Sequence, residues 1–202
     1  TKPFTSRKAR LYQESRVDFY TSRNKLLSSK GIYDILKRDV HQISYSLKQI
    51  GIENIPFGIS KRRLVKIKGK PNYVQHKVPT SHTLQTVFYR EYLYGIKCIL
   101  QFHFYKDQFF YGQIEFRSFE SGFTDSLLQI INEKYKVEHL TDRPIVDPYN
   151  NQVIFKNDIN PSLSYLSGDE LIKESIRNEL NQKESAYQRN TSYQFAHIID
   201  LI

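Results

Sequence analysis

The sequence predicts an α+β protein: a helical, basic N-terminal part followed by an antiparallel sheet of three or more strands with helices packed on one face. Three observations carry that expectation. Apolar residues in the first 55 positions recur at three- and four-residue steps. Residues 83–118 alternate polar and apolar with period two. The charge is divided, with 18 Lys and Arg against 5 Asp and Glu in residues 1–80, and 12 against 16 in residues 81–202.

In the N-terminal part, Leu26, Leu27, Ile32, Ile35, Leu36, Val40, Ile43, Leu47 and Ile50 form the stripe, broken at Gly31. Ile32 to Ile50 reads as the better helix, with Gly51 placed to stop it. Residues 1–10 are polar and basic and read as an unstructured arm. Ser60 then opens a short helix whose apolar side is Leu64, Val65 and Ile67. Gly69 suits the left-handed position past its end, and Pro71 prevents continuation.

Strands are expected over about 83–93, 96–105 and 109–118. Cys98, Leu100, Phe102 and Phe104 face one way, and Lys97, Gln101 and His103 the other. Phe110, Ile114 and Phe116 join the first set, and Gln113, Glu115 and Arg117 the second. A three-residue loop, Lys106-Asp107-Gln108, would pair Phe104 with Phe110, Leu100 with Ile114 and Cys98 with Phe116. A two-residue loop would set apolar residues beside Gln113 and Glu115 and is rejected on that ground. A helix follows at about 124–135, striped by Leu127, Leu128, Ile130, Ile131 and Tyr135. Residues 144–156 read as a hairpin turning at Asn150-Asn151, and residues 162–166 as a last strand. Asp169 caps a final helix, about 170–186, whose Glu170, Lys173, Glu174 and Arg177 mark it as largely solvent-facing. These elements divide into a basic extension (1–55), an α+β core (56–168) and a C-terminal helix and tail (169–202).

Composition limits the function classes. The 39% hydrophobic share, with 15 Tyr and 13 Phe, suffices for a packed core. No apolar run reaches the roughly 18 residues of a membrane span. The lone Cys98 excludes an internal disulfide and a multi-cysteine metal site. The missing initiator Met suggests a trimmed chain, from which any signal peptide has already gone. His41, His76, His82, His103, His139 and His197 are scattered without metal-ligand spacing. Asp107 with Glu115 and Arg117 only faintly imitates a metal-nuclease strand pair. No nucleophile-elbow, P-loop or dinucleotide glycine pattern occurs. The expectation is a protein without catalysis, metal or cofactor.

The segment Gly58–Val74 is the strongest local signature. Gly58, Ser60, Leu64, Val65, Gly69 and Pro71 match a frame that resembles the opening of SmpA/BamE-family envelope lipoprotein modules and of the related beta-lactamase inhibitor protein fold. The resemblance covers roughly residues 55–120. It implies a binding or scaffold unit, with a lean toward the periplasmic side of a bacterial envelope. Tyr111 to Phe116 is similar in spacing to the RNP1 element of RNA-recognition motifs, but Gln113 stands where a stacking aromatic is needed. An ordinary amphipathic strand accounts for it.

The cationic positions Lys61, Arg62, Arg63, Lys66, Lys68 and Lys70, with Arg7, Lys8 and Arg10, are the candidate partner surface. Such a surface suits an anionic protein face or an anionic membrane; nucleic acid is the alternative partner.

Overall fold

The computed structural model describes residues 16–37, 43–76, 81, 83–93, 95–117, 122–137 and 143–199, except the side chains of Lys25, Glu184 and residues 186–199. Helix α1 covers residues 16–21, and a 3-10 turn, Lys25–Leu27, leads into α2, Ser29–Leu36. The other helices are α3 (Lys61–Lys68), α4 (Phe123–Tyr135) and α5 (Glu170–Ile199). The strands are β1 (Ser44–Tyr45), β2 (Tyr73–Gln75), β3 (Leu84–Leu93), β4 (Ile96–Tyr105), β5 (Gln108–Arg117), β6 (Ile145–Val146), β7 (Gln152–Lys156) and β8 (Ser162–Leu166). They form one sheet in the order β1-β6-β7-β8-β5-β4-β3-β2. Only the β1–β6 pair is parallel. The protein is therefore α+β with a mostly antiparallel sheet.

Helices lie on both faces of this sheet, not on one. The first face carries Cys98, Leu100, Phe102 and Phe104 of β4, covered by Ile50 to Ile59, Leu64 of α3, and Leu127, Ile131 and Tyr135 of α4. On the second face, Leu84, Tyr105, Phe110 and Leu166 pack against Ile32 and Ile35 of α2 and Ile172, Ile176 and Leu180 of α5. Farther along that face, Tyr20 of α1 packs on Phe88 and Ile99. The 172/176/180 spacing is an apolar stripe one helical turn apart. It buries one side of α5, which the charges around it had marked as solvent-facing. Among the side chains that were expected to stripe α4, Ile130 points outward.

The extended helix expected over Ile32–Ile50 stops at Leu36, and residues 43–50 are not helical. Ile43 and Leu47, counted as helical core positions, are exposed. β1 instead pairs Ser44 with Ile145 and Tyr45 with Val146. Gly51 does not stop a helix; an added Cβ there would stand 2.7 Å from the Ile55 carbonyl oxygen. The arm expected at residues 1–10 lies outside the described residues.

The distal β4–β5 register is as read, with Cys98 opposite Phe116 and Leu100 opposite Ile114. The turn differs. It has two residues, Lys106 and Asp107, both left-handed (φ 47° and 64°) as a type I′ hairpin requires. Phe104 thus faces Phe109, and a bulge at His103/Phe104 restores the distal register. The extra residue is Phe110, which joins the second-face core. Asp107 also accepts a hydrogen bond from the Lys61 amide at 3.0 Å, tying this turn to the start of α3.

Phe104 is fully buried, with its ring 5.8 Å from that of Phe109. Phe104→Ala is expected to cost about 3–5 kcal/mol in chemical denaturation, because so enclosed a site collapses little. A loss below about 1 kcal/mol would contradict the burial.

Candidate functional site

The site is built on the second face, where neighbouring strands bring unlike sequence segments into rows. Lys97 stands directly opposite Arg117, and Tyr92 opposite Lys97. Arg90 is opposite Ile99, and Ile99 opposite Glu115. The next row holds Gln101, Gln113 and Ser164, and the one after it Thr86, His103 and Tyr111. One end of this face is thus cationic and its middle is polar.

Helix α1 sets an aromatic ring over the cationic end. The Phe19 ring lies 3.9 Å from the Arg23 guanidinium, 4.5 Å from that of Arg90 and 5.2 Å from that of Arg117. The negative face of an aromatic ring attracts cations, but it leaves their charge in place. Arg23 is partly offset by Glu115, 3.6 Å from its Nε. Arg90, Lys97 and Arg117 form no ion pair among the described residues. Like charges directly opposite each other destabilise a sheet. These residues line a cleft of about 430 Å³, with Phe19, Tyr92 and the Lys68-paired Glu91 also in its wall.

Inside the face, a buried polar chain fastens the helices down. Asn24 caps the 3-10 turn by accepting from the Leu26 amide at 3.0 Å. Its amide nitrogen donates to Gln75 Oε1 at 2.8 Å and to Thr86 Oγ1 at 3.0 Å. Thr86 in turn meets His103 Nδ1 at 3.0 Å. Burial pushes the His103 pKa down to about 3, so the ring is neutral in the folded protein.

The cations singled out on α3 divide into two groups. Arg62, Arg63, Lys66 and Lys70 are exposed. Lys68 turns inward: its Nζ pairs with Glu53 and, at 2.8 Å, with Glu91. Burial pulls its pKa down, but its hydrogen bonds to Glu53 and Glu91 outweigh that and raise it. Lys61 donates from Nζ to Gln85 Oε1 at 2.7 Å. Neither Lys61 nor Lys68 belongs to the open cationic face, because each has partners within the fold. Arg7, Lys8 and Arg10 lie outside the described residues. Arg16 donates to the Asn72 carbonyl, so α1 is tied to the turn that follows α3.

Four residues of the Gly58–Pro71 frame perform local tasks. The Ser60 hydroxyl accepts from the Arg63 amide, Gly58 and Gly69 have φ of 80° and 81°, and Leu64 is buried. The frame follows from helix punctuation as well as it would from kinship. Among the described residues, no group of three or more His, Cys, Asp or Glu side chains is gathered as metal ligands. Asp107 serves the turn, while Glu115 lies on the second face beside Arg23. Burial, reinforced by the Glu91 charge, pushes the Cys98 thiol up to about 12, which keeps it protonated and unreactive.

Sequence reasoning missed Arg90, Lys97 and Arg117. They sit in the acidic part of the chain, separated by whole strands. The available signal was the register itself, which already placed Lys97 beside Arg117. The chain matches no family model, no curated protein and no solved structure.

The neutral His103 sets a pH dependence. Below its ordinary value of about 6.5, the unfolded chain takes up a proton that the folded protein refuses. Stability is therefore lost as pH falls from about 6.5 toward 3, by up to about 1.4 kcal/mol per unit. Urea denaturation at pH 7, 6 and 5 should show this slope, and His103→Gln should flatten it. Equal slopes in the two proteins would show that the ring is protonated in the fold.

Proposed function

We propose that this protein is a non-enzymatic binding module whose basic surface meets an anionic partner. The observation that carries this reading is the Arg90, Lys97 and Arg117 constellation. Three cations without an ion-pair partner among the described residues share one cleft with a single carboxylate, Glu91, which is itself paired with Lys68, and two of the three are forced opposite each other in the sheet. An anion in that cleft relieves their repulsion. The exposed α3 residues Arg62, Arg63, Lys66 and Lys70 extend the positive field and speed encounter.

One feature favours nucleic acid over an acidic protein or membrane. Tyr92 is 67% exposed, opposite Lys97 on the same face. An open aromatic ring beside cations offers stacking next to phosphate contacts.

The test compares single-stranded RNA, phosphatidylserine vesicles and polyglutamate at matched ionic strength. At least one should bind with affinity that falls steeply with salt. Arg90/Lys97/Arg117→Ala should weaken that binding tenfold or more, about 1.4 kcal/mol. Arg62/Arg63/Lys66→Ala should weaken it less. Lys68→Met should lower stability, since it strands Glu53 and Glu91 together, without lowering affinity. Failure of all three probes to bind at about 0.15 M salt, or a strand triple variant that binds like wild type, would overturn the reading.

A further inference from the structure

Glu115 separates two openings on the second face. Toward Arg117 lies the cationic cleft. Toward Gln113 lies another, of about 520 Å³, lined by Ser22, Arg23, Gln113, Glu115, Asp158 and Ser162. Its wall holds buried polar atoms without a hydrogen-bond partner among the described residues: Gln113 Oε1, Ser162 Oγ and Arg23 Nε. Gln113 and Ser162 are 1% and 2% exposed. Both amide atoms of Gln101, opposite Gln113 on β4, are also without partners. Buried polar atoms are nearly always satisfied, and leaving them bare lowers stability. A ligand that supplies their partners recovers that loss.

The wall defines the ligand chemistry. Arg23 is held by its own helix, donating from Nη1 to the Phe19 carbonyl at 2.8 Å while its guanidinium lies on the Phe19 ring. Of the remaining groups, the Glu115 and Asp158 carboxylates and the Gln113 carbonyl oxygen accept only, while the Ser22 and Ser162 hydroxyls and the Asn160 amide can accept or donate. This wall repels a phosphate and suits a planar group with an N–H₂ edge. Adenine, cytosine and guanine carry such an edge, whereas uracil has no exocyclic amine and flanks its single ring N–H with two carbonyl oxygens. Residues 113 and 117 share one face of β5, so Gln113 and Arg117 stand about 13 Å apart along the strand.

We propose that the second face of β5 is a single-stranded nucleic-acid site. Its cationic cleft holds phosphates, and its Gln113/Ser162 cleft selects bases with an exocyclic amine over uracil. The inference rests on the reading of Arg90, Lys97 and Arg117 as the partner surface, and it adds the partner class and the base preference.

The test is fluorescence anisotropy with labelled cytidine and uridine RNA octamers, which differ only at the base edge. The cytidine octamer should bind at least about fivefold tighter, because a site built to pair a polar group rejects the analogue that lacks it. Gln113→Leu and, separately, Ser162→Ala should bring the two within about twofold while keeping the salt dependence. Thermal melts establish that each variant is folded, and Ser162→Ala is the smaller change should Gln113→Leu not fold. Lys97→Ala should weaken both octamers alike and reduce the salt slope by about 0.7. Equal binding of the two octamers, or a preference that survives both variants, overturns the base-selecting cleft. Binding of vesicles or polyglutamate without RNA overturns this inference and leaves the anionic-partner reading standing. Binding of none overturns both.

Discussion

The second face of the central strands is polar, yet it is covered. Gln101, His103, Gln113, Thr86 and Ser164 are all buried there. Polar groups removed from water must find partners, and the fold supplies them unevenly. The Asn24–Thr86–His103 chain satisfies one stretch and, in doing so, fixes where α1 and the 3-10 turn sit. Tyr111 donates to Ser164 and satisfies another. Gln101, Gln113, Ser162 and the Nε2 of His103 retain unpartnered atoms among the described residues. The apolar first face provides a continuous core, and the polar second face is where unpartnered groups collect among the described residues.

Charge follows the same division. The exposed cations of the fold are not confined to the basic half of the sequence. Lys68 is enclosed between Glu53 and Glu91, and Lys61 is hydrogen-bonded to Gln85. The acidic half, by contrast, contributes Lys97 and Arg117 to one row of the sheet. Strand pairing converts distant single cations into a cluster, and α1 closes it with the Phe19 ring. A charge count along the chain therefore does not locate where cations cluster in the fold.

Much of the fold was legible. Period-two alternation located β3, β4 and β5 to within a residue or so, and capping residues delimited α3. Asn150, with φ 60°, turns the β6–β7 hairpin as its side chain suggested. Asp147 holds that turn by accepting from the Tyr149 and Asn151 amides, and it also accepts from the Ile50 amide. That last bond is part of what holds residues 43–50 non-helical, with Ser44 and Tyr45 paired to β6, a tertiary choice no local pattern discloses. The turn at Lys106-Asp107 was misread because a bulge compensates for it: two errors of one residue cancel, so the distal register gave no warning. The two-sided cover was missed because Gln101, His103 and Gln113 look like solvent-facing residues until helices are laid over them. The site followed the same logic, since its cations become neighbours only through register.

The most direct test of the central claim is an NMR titration with inorganic oligophosphate that follows the arginine Nε–H signals. The account predicts that Arg90 and Arg117 shift first and saturate together, with Arg62 and Arg63 moving later and less. Saturation of Arg62 and Arg63 while Arg90 and Arg117 stay unmoved would contradict it, placing the anion on α3 and leaving the sheet end as ordinary solvated surface.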